Sequence, residues 1–180
     1  MSTAAGMNKF VATPEPPELG PGPRPGIQSE SELNGKLQEF FGAETLPTQK
    51  QELVRALVLL WHDHLESAHV IAQDIDTADG AFVHAIMHRR EPDYGNAKYW
   101  FRRVGKHPAF AELAKGVCSL LEQSGNRELR QLLVSNGEWD AFAFVDACER
   151  AALKATQEEP LLREIQRIET ETLLDWIRLR

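Results

Sequence analysis

The chain has 180 residues, 42% of them hydrophobic, and a net charge of −7. That length and apolar content suit one compact domain, and the negative balance argues against a general nucleic-acid binder, whose phosphate contacts need cationic surface. No run approaches a membrane span: the longest strongly apolar stretch is Ala56–Trp61.

The start, MSTAAGMNKFVATPEPPELG, lacks the apolar region of a signal peptide. Cys118 and Cys148 are far apart and form no CxxC. These features predict a cytoplasmic protein with reduced thiols. Six of the ten prolines lie between Pro14 and Pro25, with Gly20, Gly22 and Gly26 near them. Such composition buries little apolar surface against its ordering entropy, so residues 1–30 are expected to be a disordered tail before a domain spanning 31–180.

Ser29-x-x-Glu32 has the form of a capping box, followed by Leu33, Leu37, Phe40 and Phe41 at helical spacing. Thr48-x-x-Gln51 repeats the signal. Apolar residues then recur at Val54, Val58, Trp61, Leu65, Ala68, Ala72 and Ile75, which predicts one long helix or two broken near His62–His64. Gly80–Arg90 is the next helical segment. Pro92 ends it, and Asp93 is placed to cap a helix from Tyr94 to Val104 with Ala97, Trp100, Phe101 and Val104 on its apolar face. Gly105 fits a left-handed terminus and Pro108 opens the following helix. Further helices are expected at about 109–123, 127–135, 138–155 and 160–180. The last carries Leu161, Leu162, Ile165, Ile168, Leu173, Trp176 and Ile177, an amphipathic face suited to capping a helical stack or forming a homodimer. No β alternation stands out. The predicted class is all-α, built of antiparallel helical hairpins, about six to eight helices in all.

The stretch PDYGNAKYWFRRVGKHP, Pro92–Pro108, resembles the second half of a tetratricopeptide or Sel1-like repeat, with Tyr94, Ala97 and Phe101 at the required steps. Small residues twelve apart, Ala85 with Ala97 and Ala56 with Ala68, extend the likeness over about residues 50–108. The resemblance implies a TPR-like α-α superhelix. It departs from the pattern in its unit spacing of 29 residues, Ala56 to Ala85, against the usual 34. His84 and His88 also stand where the repeat calls for a large apolar residue and an aromatic. The segment from Trp61 to Pro108 further resembles a group of uncharacterised bacterial and fungal proteins, which implies no activity.

All six histidines fall between Trp61 and Pro108. On one helix His62, Glu66 and His69 would share a face at i, i+4 and i+7, and His84, His88 and Glu91 repeat that spacing on the next. Facing helices could then join His62, Glu66, His69, His84 and His88 into a ligand set for Zn, Fe, Ni or Mn. A di-iron bundle needs a second Glu-x-x-His, which is absent, and His84 is followed by Ala85, so the zinc-protease HExxH is absent too. The plainer alternative is that hydrogen-bonded histidines only fix helix packing; His64 fits that role best.

Arg89, Arg90, Lys98, Arg102, Arg103 and Lys106 form a cationic window opposed by Glu91 and Asp93. Arginine forks match carboxylate or phosphate oxygens. In peptide-binding relatives of the repeat, inner-helix cations hold a partner's terminal carboxylate, and the resemblance puts Arg89 or Arg90 near such a position. The sequence therefore supports a binding module for a small anionic ligand or an acidic peptide, with Arg89, Arg90, Arg102 and Arg103 supplying charge and His84, His88 and Tyr99 shaping the pocket. A metal-dependent enzyme and a non-catalytic structural adaptor are the alternatives. No residue is assigned as catalytic: GxGxxG, Walker and GxSxG motifs are absent.

Overall fold

The structure is a computed structural model that describes residues 6–154 and 156–179. The described residues are largely helical: α1 (Glu30–Ala43), α2 (Thr48–Trp61), α3 (Leu65–Ala72), α4 (Ala78–Arg90), α5 (Tyr94–Val104), α6 (Ala109–Ser124), α7 (Arg127–Leu133), α8 (Ala141–Lys154) and α9 (Glu159–Leu179). The all-α class is as the periodicity predicts. None of these helices is long and apolar enough to cross a membrane.

Local chemistry sets most of the boundaries. Ser29 and Glu32 form the reciprocal capping box that starts α1. Thr77 accepts from the Gly80 amide at 3.1 Å to start α4, and at Gly80 a Cβ would stand 2.1 Å from the Ile75 carbonyl oxygen, so only glycine fits this close approach. Asp93 caps α5 through the Asn96 amide, and Gly105 ends it at φ 63°. The Thr48 box does not form. Pro47 stands at the cap of α2, and Gln51 Nε2 donates to the Leu46 carbonyl at 2.7 Å.

Of the two arrangements expected around His62–His64 the broken one forms: the chain turns between α2 and α3 at Asp63, a non-glycine residue at φ 64°, so the face expected to join His62 with Glu66 and His69 does not form. A small antiparallel hairpin, β1 (Val134–Ser135) and β2 (Glu138–Trp139), precedes α8. Asn136 and Gly137 both have positive φ in its two-residue turn, the Asn-Gly signature of a tight hairpin.

The core is organised around α4, in which every residue from Gly80 to Arg90 is buried. It packs against α2, α3 and α5. Helix α9 lies against α2, α6 and α8, with Leu162, Ile165, Leu173, Leu174 and Ile177 all buried. The apolar face expected to cap a stack or pair two copies is thus used inside the chain.

The expected disordered tail is corrected for residues 6–28. Met7, Phe10, Val11 and Leu19 are buried in the core. Proline-rich backbone has few amides to donate but leaves its carbonyls free, and donor side chains take them: Arg163 and Gln166 of α9 bond the carbonyls of Pro16, Pro17 and Glu18, and Arg90 bonds that of Gly20. The fixed φ of proline also lowers the entropy lost on docking. Residues 1–5 of the expected tail lie outside the described residues.

Candidate metal centre

A helix buried on all sides is normally apolar, yet α4 carries His84, His88, Arg89 and Arg90 inward. Each must find a partner or lose more than it gains. Arg89 finds Glu169 of α9 in a bidentate pair, Nη1–Oε1 3.0 Å and Nη2–Oε2 2.5 Å, with its guanidinium 4.4 Å from the centre of the Phe144 ring. Arg90 donates to Asp63 at 2.6 Å and to the carbonyls of Gly20 and Leu60. Both arginines are 1% exposed. The structure therefore removes Arg89 and Arg90 from any ligand-binding surface; they tie α4 to α9 and to the α2–α3 break.

The six histidines separate into two groups. His62 Nε2 donates to the Phe10 carbonyl at 2.8 Å and His64 Nε2 to the Gln28 carbonyl at 2.9 Å, so both pin the N-terminal segment. Burial pushes the His62 imidazole below its usual range. His107 donates from Nε2 to Asp79 at 2.8 Å and accepts the Ala109 amide at Nδ1, which occupies both ring nitrogens.

The other three meet. His69 of α3 and His84 and His88 of α4 bring one ligand nitrogen each to within 4.8 Å of one another. The i, i+4 spacing stacks His84 on His88, ring centroids 4.8 Å apart at 11°, while His69 meets both rings edge-on at 4.8 and 5.4 Å. His84 Nε2 is buried without a hydrogen-bond partner. Burial first, then the neighbouring His88 and His69, lowers the His84 pKa to about 4. Burial also lowers that of His88, opposed by Glu91. At neutral pH His84 is therefore a neutral imidazole with a free lone pair, the form that binds a metal.

Polar neighbours set the orientation of His88. Its Nδ1 lies 3.2 Å from Glu91 Oε2 and its Nε2 lies 3.2 Å from Asn96 Nδ2. A consistent assignment has Nδ1–H donating to the carboxylate, which leaves Nε2 as the acceptor facing the Asn96 amide. Trp100 closes the other side, stacked on His84 with centroids 3.9 Å apart at 19°.

Of the metal ligands expected from sequence, His69, His84 and His88 are thus brought together, whereas His62 serves the N-terminal segment and Glu66 is exposed. The basic residues of α5 do not converge with Arg89 and Arg90: Arg102 and Arg103 are exposed, Arg103 pairs with Asp76 at 2.8 Å, and Tyr99 stands edge-on to Trp100. Asn96 and Trp100 escaped the sequence reading as site residues, although Asn96, Trp100 and Arg103 share one helix face at i, i+4 and i+7. No protein-family model matches the chain, and neither does any curated protein or solved structure.

Proposed function

We propose that this protein binds a divalent metal ion through His69, His84 and His88 and leaves a coordination position open to an exogenous ligand. The observation that carries the reading is the buried, unpartnered Nε2 of His84 beside two further imidazoles. An unpaired buried acceptor is costly in a native core, and an ion at this point satisfies it. Three imidazoles on a tetrahedral ion, at about 2.0–2.1 Å each, stand roughly 3.4 Å apart. Modest ring rotation from separations within 4.8 Å reaches that value. Three histidines without a carboxylate suit Zn²⁺ better than Mn²⁺, which favours oxygen ligands. Three protein ligands with an open fourth position is also the pattern of catalytic rather than structural zinc.

The test is elemental analysis of protein purified without a histidine tag, together with thermal shift during Zn²⁺ titration. The expected result is about one ion per chain and a rise in melting temperature, both lost in His84→Ala and in His88→Ala but kept in His62→Ala and Glu66→Ala. Metal-free protein that no divalent ion stabilises overturns the proposal.

For the scaffold, the proposal extends to a divergent tetratricopeptide-like pair of hairpins, α2–α3 and α4–α5. Its support is that the four alanines at repeat positions, Ala56, Ala68, Ala85 and Ala97, are all 0% exposed, as close helix approach requires.

A further inference from the structure

The face of α5 that covers His84 and His88 has a graded chemistry. Asn96 stands at one end, its Nδ2 3.2 Å from His88 Nε2, on the lone pair an ion would take. Half-buried Trp100 lies flat on His84 one turn later. Arg103 follows, with its guanidinium carbon 5.2 Å from the centre of the Trp100 ring. From Asn96 to Arg103 the helix rises about 10 Å.

We propose that the open position of the metal centre accepts an organic dianion, one carboxylate lying on the ion beside Asn96 and a second negative group paired with Arg103. The inference rests on the three-histidine metal reading and names the ligand class for that site.

Three features favour a two-ended anion over a compact one. An ion at the histidines displaces the Asn96 amide from His88 Nε2, and the freed N–H is then positioned to donate to a ligand oxygen. Arg103 stands against Trp100, which itself lies on His84, so a second negative group carried on a short carbon chain can reach it from the ion. Arg103 is also exchangeable. Its side chain is 45% exposed and that of its partner Asp76 is 92% exposed, and such surface pairs contribute little to stability. The planar fork of Arg103 can turn to an incoming carboxylate, whereas Arg89 and Arg90 are locked in buried pairs. Arg102 is about a quarter turn away and does not share this face.

The experiment uses the full chain loaded with Co²⁺, whose visible absorption reports changes in coordination, titrated with glutarate and with acetate. Glutarate should perturb the spectrum with an apparent Kd at least tenfold below that of acetate. Arg103→Ala should erase this advantage while leaving Co²⁺ affinity and the acetate response unchanged, and Asn96→Ala should weaken both anions. If Co²⁺ does not bind, the metal reading itself fails. If Co²⁺ binds but glutarate shows no advantage, or Arg103→Ala retains it, the dianion inference is overturned and the metal reading stands.

Discussion

Asp63 Oδ1 lies 2.6 Å from Arg90 Nη2, with both side chains 1% exposed, and the same carboxylate receives Arg24 from the N-terminal segment at 2.7 Å. The left-handed break between α2 and α3, the central helix α4 and the proline-rich segment therefore meet at one buried charge. Gly22 lies so close that a Cβ there would stand 2.8 Å from the Asp63 side chain.

Deleting residues 1–28 should accordingly destabilise the protein. The deletion uncovers core sites occupied by Met7, Phe10, Val11 and Leu19, each contributing about 1.5–3 kcal/mol on full burial, and strips partners from Arg90, Arg163 and Gln166. A fall in melting temperature of about 5 °C or more is expected. A midpoint unchanged within about 2 °C would show that the segment is not docked in solution.

Glu169→Ala should cost about 3–5 kcal/mol, because it leaves the Arg89 guanidinium buried without a counter-charge, held by a long hydrogen bond to Gln166 and the Phe144 ring. Arg89→Met combined with Glu169→Leu should recover most of that loss. Urea midpoints of the two variants check this; equal destabilisation would mean that the pair is retained for more than charge balance.

The metal-free protein should lose stability on mild acidification. The folded pKa of His84 is lowered from 6.5 to about 4, so between these values the unfolded chain holds a proton that the folded chain lacks. Stability is then complete above pH 6.5 and falls as pH drops towards 4, by up to about 1.4 kcal/mol per pH unit for this one group. His88 and His62, lowered in the same direction, add to the slope. Urea midpoints at pH 7 and pH 5 measure it, and His84→Gln should flatten the slope.

Thiol reagents should separate the two cysteines. Burial pushes the Cys148 thiol up to about 12 and it is 0% exposed, whereas Cys118 is partly exposed. Under native conditions at pH 8, one thiol should react, and peptide mapping should place the label on Cys118. The second should react only on unfolding.

The helical class, the capping of α1 and α5 and the glycine end of α5 were legible in the sequence, because they depend on neighbours within a few residues. The β-hairpin was missed, because its two-residue strands are too short to show an alternating pattern between the helices that flank them. The location of the candidate site was also marked, since histidines and arginines crowd one segment at positions where helical periodicity calls for apolar residues. What separated the roles was tertiary. His62 and His69 differ only in which side of the Asp63 break they occupy, and that break depends on a carboxylate held by Arg90 and Arg24 from distant segments.

By itself the sequence determined that this is a helical protein with polar groups on a face destined for burial, because periodicity and composition are local properties. Only the tertiary structure decided which of those groups are spent on cohesion and which are left unpaired. Arg89 and Arg90 are consumed by Glu169 and Asp63, residues 80 and 27 positions away, while His84 is left without a partner for its buried Nε2. The physical reason is that burying a charge requires a partner, and a partner brought in by chain topology leaves no mark in the local sequence.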